Sequence, residues 1–327
     1  MSTPATRPHW SLRGVAEAAL WVGLGGGFGL CLLTLAAFAG ERHWLLEITT
    51  HFRPHYALAL LIYAAIYAWG RRFRLGVVFA VFAVANVVVL LPRFAPHATV
   101  PDGAPQLKLL LFNVHTPNRD YPALLKLITD EQPDVVVLME VNDTWIAALA
   151  PLEKTHPFTR KVSRSDNFGI ALYSRLPLND ARTLYLSPAE VPSLRATVTL
   201  DGNLPITLLA THPLPPGDAE NTLLRDLQLG AIARWSSSTT SPAVVIGDLN
   251  CAPWSPAFRR LLSEGVLIDT GRGITPTWPV EPWILRIPLD HCLVTSTLVA
   301  KEHRVGPDIG SDHFPIIVTI AVPSAPH

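Results

Sequence analysis

The chain is organised around the run Val244-Val245-Ile246-Gly247-Asp248-Leu249-Asn250, in which apolar, mostly β-branched residues lead into a glycine, an acid and an amide. This pattern predicts a buried strand that ends at Gly247, where the backbone can turn sharply. Asp248 and Asn250 are two positions apart, so their side chains share one face and can point together beyond the strand end. The alternative interpretation is a strand closed by an ordinary Gly-Asp turn.

Several other apolar runs also lie next to polar side chains. Leu107-Lys108-Leu109-Leu110-Leu111-Phe112 is followed by Asn113, and the run at residues 134–139 is followed by Glu140. Further candidates lie in Thr211-His212, Leu289-Asp290-His291 and Ser311-Asp312-His313. We expect these side chains to meet at the edges of a sheet, which favours a functional site over an isolated turn at Gly247.

In this order the segments resemble the endonuclease/exonuclease/phosphatase superfamily, which includes deoxyribonucleases, abasic-site endonucleases, sphingomyelinases and inositol polyphosphate 5-phosphatases. The resemblance covers residues 106–322 and includes the closing motif Ser311-Asp312-His313-Phe314-Pro315. It implies a four-layer α/β sandwich, and it implies metal-dependent hydrolysis of phosphoesters.

The local patterns agree with a layered α/β architecture. Residues 120–132 carry leucines at helical spacing before Pro133, and Asp201-Gly202-Asn203 predicts a hairpin turn. A further helix is expected over residues 219–235. Because these elements do not follow a strict strand-helix-strand rhythm, we expect two mixed β-sheets packed face to face and flanked by helices.

Composition divides the 327 residues into two parts. The 26 basic and 26 acidic side chains balance, so net charge does not steer the protein toward nucleic acid. The mean hydropathy of +0.29 is high for a soluble protein, and the excess lies in about the first ninety residues. Three cysteines are too few for a disulfide framework. A Cys251–Cys292 disulfide stays open, but small packed thiols are favoured.

Residues 1–91 are predicted to form a membrane module with three transmembrane helices, at about residues 14–39, 55–70 and 73–91. The second is the shortest. A cleaved signal peptide is the alternative for the first, but no small-residue cleavage site precedes Glu41 and more apolar runs follow.

The basic residues Arg7, Arg13, Arg71, Arg72 and Arg74 predict a cytoplasmic N-terminus and a cytoplasmic second loop. Three crossings would make this a multi-pass protein of the cell membrane, with residues 106–322 on the extracytoplasmic side. The Pro-rich residues 92–105 would be a short linker. If the middle helix does not insert, the domain lies in the cytoplasm instead.

Hydrolysis of a phosphodiester requires a cation, an activated water and a proton donor. Asn113 and Glu140 are oxygen ligands suited to Mg²⁺ (or Mn²⁺), and Asp312 is a third candidate ligand. Asp248 is the candidate for activating water, and Asn250 for holding the phosphate. His313, with Asp312 beside it, is the candidate acid, since a nearby carboxylate favours the charged imidazole.

The resemblance adds further site residues. It implies catalytic roles for His212 in Ala210-Thr211-His212-Pro213 and for Asp290, and it matches Arg195 to a recurrent strand arginine. His115 stands where some members carry an acidic residue. The resemblance therefore implies catalysis but does not imply a second metal site. We predict that Asn250, Arg195 and His115 contact substrate.

The predicted substrate is a nucleic acid, a nucleotide or a phospholipid headgroup. A stripe of basic residues with interleaved aromatic residues would indicate a stable nucleic-acid complex, and the sequence shows no such stripe. Trp254, Trp278 and Trp283 could stack a base, rest on a membrane or pack loops. A membrane-anchored binding module that has lost turnover is the alternative function.

Overall fold

The computed structural model describes residues 12–95, 100 and 103–322. Four helices come first: α1 (Leu12–Phe38), α2 (Trp44–Thr50), α3 (Arg53–Trp69) and α4 (Phe73–Leu90), followed by a 3-10 turn at Leu91–Phe94. Arg7 and the linker residues 96–99 and 101–102 lie outside the described part of the chain, so predictions about them stay predictions.

Among the described residues, one helical segment is long and apolar enough to cross a bilayer. It is Phe73–Phe94, with 22 residues and a mean hydropathy of 2.6. A second apolar helical segment, Gly23–Phe38, is shorter. Large apolar side chains on three helices are exposed, including Leu32 at 67%, Leu58 at 63% and Val81 at 60%. The three-span topology therefore stays a prediction.

Residues 106–321 form two six-stranded sheets with helices packed on them. The strands are β1 (Gln106–Asn113), β2 (Val135–Met139), β3 (Phe158–Val162), β4 (Ile170–Ser174), β5 (Asn179–Tyr185), β6 (Pro192–Leu200), β7 (Leu204–Thr211), β8 (Ala243–Asp248), β9 (Leu267–Asp269), β10 (Asp290–Thr295), β11 (Val299–Val305) and β12 (Ile316–Ala321). The first sheet has the order β11-β12-β1-β2-β4-β3 and the second β5-β6-β7-β8-β10-β9. Both sheets are mixed, since β1 is parallel to β2 but antiparallel to β12, and β7 is parallel to β8.

Side chains alternate between the two faces of each strand, which divides them between the core shared by the two sheets and the outer faces covered by helices. On β1, Leu107, Leu109 and Leu111 belong to the core between the sheets, whereas Leu110 and Phe112 face the opposite side. That outer side packs against α5 (Tyr121–Glu131) and α6 (Asp143–Ala148). The second sheet packs against α7 (Ala219–Ser238) and α8 (Pro256–Gly265). Helices on both outer faces and two packed mixed sheets confirm the predicted α/β sandwich.

Helix and turn boundaries follow from local chemistry. Asp120 caps α5 by accepting a hydrogen bond from the Ala123 N–H, and the left-handed residue Gln132 ends it before Pro133. The predicted hairpin at residues 201–203 joins β6 to β7.

Helix α2 packs on the sandwich through buried polar contacts. Arg225 Nη2 lies 2.7 Å from Glu47 Oε2, and both side chains are buried. The Trp254 indole N–H donates to the carbonyl of Thr50 at 2.8 Å, and Leu90 packs on the same indole. Cys251 and Cys292 are free buried thiols, so the disulfide left open by the sequence is not formed.

Candidate active site

The polar side chains meet at one end of both sheets, around a cavity of about 570 Å³. Strands β1, β2, β7 and β8 all end there, whereas β10 and β12 begin there. Strand direction and register thus bring together side chains that are separated by up to two hundred positions in the sequence. The lining includes Glu140, His212, Asp248, Asp312 and His313.

His313 lies between two carboxylates. Its Nδ1 is 2.8 Å from Asp290 Oδ2, and its Nε2 is 3.6 Å from Asp248 Oδ2. Asp290 and Asp248 are register partners on β10 and β8, so the sheet itself sets this spacing. Burial opposes a charge on His313, but Asp290 and Asp248 outweigh it and raise the pKa to about 10. His313 is therefore an imidazolium at neutral pH.

Asp248 is buried and collects several donors. Its Oδ1 accepts from the Asn250 N–H at 3.0 Å, and its Oδ2 accepts from Asn113 Nδ2 at 3.2 Å. His212 Nε2 lies 3.5 Å from the same Oδ2. Burial raises the pKa of Asp248 to about 7, although the charged His313 opposes this. A carboxylate with this pKa can accept a proton near neutral pH.

Gly247 is required for a reason other than the one we expected. Strand β8 continues to Asp248, and the chain turns at Asn250, which has a φ of 50°. A Cβ at Gly247 would lie 1.8 Å from the backbone oxygen of Thr211. The prediction of a sharp turn at Gly247 is therefore wrong, because the glycine permits close approach of the backbone that leads to His212.

His212 differs from His313 in charge. Its ring packs on Phe168 with centroids 5.2 Å apart, and its Nδ1 has no hydrogen-bond partner. Burial lowers the pKa of His212 to about 4, partly offset by Glu140. His212 is therefore neutral and His313 charged, which separates their chemical roles. We refer to His212, Asp248, Asp290 and His313 as the polar cluster.

Glu140 and Asp312, which we call the carboxylate rim, are more open to solvent. Glu140 adopts a φ of 64°, and its carboxylate accepts from Asn113 Nδ2 at 3.0 Å and from the Thr116 N–H at 3.2 Å. The Asp312 side chain is 41% exposed and accepts from the Trp278 indole N–H at 3.0 Å. The rim is thus held in place while its oxygens stay accessible.

Comparison with known proteins identifies the family that carries this arrangement. The model of the endonuclease/exonuclease/phosphatase family matches residues 110–313, which is more than half of the chain. The chain belongs to the endonuclease/exonuclease/phosphatase family. A search of curated protein sequences finds no match.

Solved structures share the fold of this family member. An endonuclease/exonuclease/phosphatase from Beutenbergia cavernae has a TM-score of 0.56 at 22% identity, covering 68% of this chain and 73% of that one. TDP2 of D. rerio, complexed with a single-strand DNA product, has a TM-score of 0.55 at 16% identity, covering 66% and 98%. Sphingomyelinase C from Streptomyces griseocarneus has a TM-score of 0.50 at 17% identity, covering 66% and 99%.

Members of the family use divalent metals, and the donors present here fit one. Four carboxylates line the cavity, and no lysine or arginine is among the described lining residues. Arg164 pairs with Asp166 and His313 faces Asp248, whereas Glu140 and Asp312 contact no arginine or lysine among the described ion pairs. Glu140 and Asp312 supply the carboxylate oxygens that Mg²⁺ prefers, with room for waters at the exposed rim. The predicted ligand Asn113 turns its amide nitrogen toward Glu140, and its Oδ1 accepts from the His115 N–H. A second group, Asp248, Asp290 and His313, has one ligand atom each within 4.8 Å of the others. In that group both His313 nitrogens already face carboxylates, which suits proton chemistry better than metal binding.

The structure brings most, but not all, of the predicted site residues together. His115 lies at the rim, with its Nδ1 3.6 Å from Asp312 Oδ1. Asn250 lines the cavity, but its side-chain amide donates to the Pro213 carbonyl. Arg195 does not line the cavity: its Nη1 lies 3.2 Å from Asp180 Oδ2. Its neighbours Leu194 and Ala196 face the core between the sheets, so Arg195 faces outward.

Sequence reasoning missed several residues of the site. Ser311 Oγ donates to the Asn113 carbonyl at 2.7 Å and accepts from the His313 N–H, which ties two strand ends together. Its place in the closing motif was a usable signal. Ile48, His51 and Phe52 also line the cavity, and we call them the α2 wall. No sequence pattern pointed to them, since they precede the family match.

Proposed function

We propose that this family member is a membrane-anchored, divalent-metal-dependent phosphodiesterase that hydrolyses its substrate by in-line attack of water. Family members are phosphoester hydrolases, which supports the reaction class. The observation that carries the proposal is the placement of a charged His313 and a buried Asp248 beside a carboxylate-lined cavity. Such a site offers both a proton acceptor and a proton donor at neutral pH.

Each member of the polar cluster then has a distinct role. Asp248 accepts the proton of the attacking water, and its hydrogen bond from Asn250 fixes its orientation. His313, oriented by Asp290, donates to a phosphoryl or leaving oxygen. His212, neutral at pH 7, donates a hydrogen bond without adding charge.

The metal site completes the chemistry. Glu140 and Asp312 would hold Mg²⁺ or Mn²⁺ there, and Asn113 would orient the Glu140 carboxylate through its hydrogen bond. When bound, the cation offsets negative charge on the phosphoryl oxygens.

Two features support the membrane anchor and the extracytoplasmic position of the sandwich. The α2 segment and the end of α4 both contact the sandwich, whereas Arg71 and Arg72 lie between α3 and α4 and Arg74 lies in the first turn of α4. Three crossings put those arginines at the other end of the helices, which is the cytoplasmic end by the positive-inside rule. Exposed apolar side chains on α1, α3 and α4 would then face lipid.

The substrate is a nucleic acid, a nucleotide or a phospholipid headgroup. Relatives of the same fold include a protein bound to a single-strand DNA product and a sphingomyelinase, so the fold alone does not distinguish between these substrate classes. Four lining carboxylates without a lysine or arginine among the described lining residues fit a single phosphate with its cation better than a long polyanion.

A turnover assay on the full chain tests this proposal. The chain would be reconstituted in vesicles and assayed with Mg²⁺, with Mn²⁺ and with EDTA on bis-p-nitrophenyl phosphate, plasmid DNA and phospholipids. We expect divalent-dependent hydrolysis that His313→Ala abolishes. Metal binding without turnover of any substrate would instead establish the alternative, a binding module that keeps the fold.

A further inference from the structure

The cavity has a wall that the family match does not contain. Ile48, His51 and Phe52 precede residues 110–313, yet they line the cavity together with His212 and His313. Apolar lining also comes from the family domain, through Trp278, Ile287 and Leu289. A substrate that reaches the polar cluster must therefore pass apolar side chains from both parts of the chain.

The α2 wall is firmly attached to the sandwich. The buried Arg225–Glu47 pair holds one side of α2, and the Trp254 indole N–H holds its C-terminal end. Arg225 also donates hydrogen bonds to Asp226, so two carboxylates balance the charge of its guanidinium. The wall is thus part of the site, and α2 connects directly to α3 through His51 and Phe52.

An exposed apolar loop lies beside the start of α3. Trp283, Ile284 and Leu285 form a 3-10 turn and are 68%, 60% and 46% exposed. The loop lies within the segment that carries Trp278 and Ile287 to the cavity, and the Ile284 backbone interacts with His55 in the first turn of α3. On α2, Leu45 is likewise 53% exposed. Apolar side chains therefore border the cavity at the level where α3 begins.

We propose that the active site opens against the bilayer surface and takes as substrate a phosphodiester lipid of that membrane, with the α2 wall and the Trp283–Leu285 loop as its entrance. This rests on the proposed hydrolase function. A lipid is favoured as substrate because the apolar entrance adjoins helices whose apolar side chains are exposed. The cavity volume also suits a single lipid headgroup.

The reaction would be a simple hydrolysis. Water adds to phosphorus, the bond to one ester oxygen breaks, and that oxygen takes a proton to leave as an alcohol. The other product is a phosphomonoester, so neither an oxidant nor a second substrate is needed.

The position of the loop can be measured without turnover. The cysteines Cys31, Cys251 and Cys292 are all buried, so a nitroxide reagent would label Ile284→Cys selectively. The protein would be placed in vesicles of phosphatidylethanolamine and phosphatidylglycerol. We expect dissolved oxygen to relax the nitroxide at position 284 more strongly than an aqueous nickel chelate does, as for a label in contact with lipid. Phe158→Cys is the matched control, because Phe158 is 38% exposed at the sheet end remote from the cavity. A label at position 284 that is as water-accessible as one at position 158 would overturn the proposal.

Turnover tests the substrate class with the full chain in the same vesicles. We expect Ile284→Asp to slow hydrolysis of phosphatidylglycerol by about tenfold, since it removes one apolar side chain from the lipid contact. The same variant should hydrolyse bis-p-nitrophenyl phosphate at the wild-type rate, and Phe158→Asp should leave both rates unchanged.

The possible results separate the two proposals. Equal loss on both substrates would mean that the loop acts through the fold, and hydrolysis of the soluble diester without the lipid would mean another substrate; either overturns the entrance model and spares the hydrolase. Absence of all turnover would overturn the hydrolase and the lipid reaction together.

Discussion

The polar cluster and the α2 wall line the same cavity but are built in different ways. Strand register sets the polar cluster, since Asp248 and Asp290 are partners on adjacent strands, and His313 hydrogen-bonds Asp290 while its Nε2 faces Asp248. The α2 wall depends on one buried ion pair and one indole hydrogen bond. Chemistry and access to the site therefore rest on separate interactions, and substitutions should affect them separately.

The largest effect should come from the polar cluster. We expect His313→Ala to lower kcat by about 10²- to 10⁴-fold, because it removes the charged donor. His115→Ala is the matched control, since its imidazole is 39% exposed at the rim and should change kcat by a few-fold at most. Rates on bis-p-nitrophenyl phosphate, with circular dichroism to verify folding, provide the measurement. Similar losses in both variants would contradict the assignment.

Breaking the buried ion pair should release the α2 wall without removing the chemistry. Glu47→Gln leaves Arg225 with one carboxylate fewer in a buried position, and the loss should be about 3 kcal/mol in the free energy of α2 docking. Hydrogen–deuterium exchange of residues 44–50 reports docking. The half-exposed Asp180–Arg195 pair offers a control, because Asp180→Asn should change little. Unchanged exchange in Glu47→Gln would show that the pair does not hold the wall.

The carboxylate rim should set the metal requirement of the reaction. Glu140→Gln removes one carboxylate ligand, so we expect the Mg²⁺ concentration for half-maximal rate to rise about tenfold or more. Titration with Mg²⁺ at saturating substrate measures this. A lower rate with an unchanged Mg²⁺ requirement would place the metal elsewhere, for example at the Asp248, Asp290 and His313 group.

The α2 wall should loosen in acid. Burial lowers the pKa of His51 to about 3 from its ordinary 6.5, with Arg225 adding to the effect. Undocked His51 then binds a proton more readily than docked His51, so docking is fully stable above pH 6.5 and weakens as the pH falls toward 3. At pH 5.5 the loss should be about 1.4 kcal/mol. Exchange of residues 44–50 should speed up accordingly, and His51→Gln should abolish that pH dependence.

The smallest effect should come from Arg195, which the structure places outside the cavity. Because its guanidinium pairs with Asp180, we expect Arg195→Gln to keep the rate on bis-p-nitrophenyl phosphate within about twofold of wild type. A large rise in KM of the Arg195→Gln variant would instead support the predicted contact between Arg195 and the substrate.

Polar residues next to apolar runs predicted much of the site from the sequence. Asn113, Glu140, His212, Asp248 and His313 were all visible in this way, because a strand end is a local property of the chain. Their partners were harder to predict. The Asp290–His313 bond joins positions 23 apart, and the resemblance alone suggested such a pairing. The sequence did not place Arg195 outside the cavity, because the direction a strand residue faces depends on which side of the strand meets the other sheet.

The α2 wall shows the opposite case. Residues 48–52 carry no motif, and the sequence assigns them only to a loop between predicted membrane helices. Their place in the cavity depends on contacts with Arg225 and Trp254, about two hundred positions away. Pairings over such distances depend on how whole layers pack, and periodicity within a short window does not report that.

By itself, then, the sequence determined the α/β sandwich and the identity of the chemical groups, because strand alternation and motifs are local. Only the tertiary structure decided which imidazole carries a charge, since burial and neighbouring carboxylates set the pKa of His212 and His313 in opposite directions. It alone also decided that the N-terminal helices close one side of the site. Both outcomes depend on desolvation and long-range packing, and those arise only when distant segments share one interior.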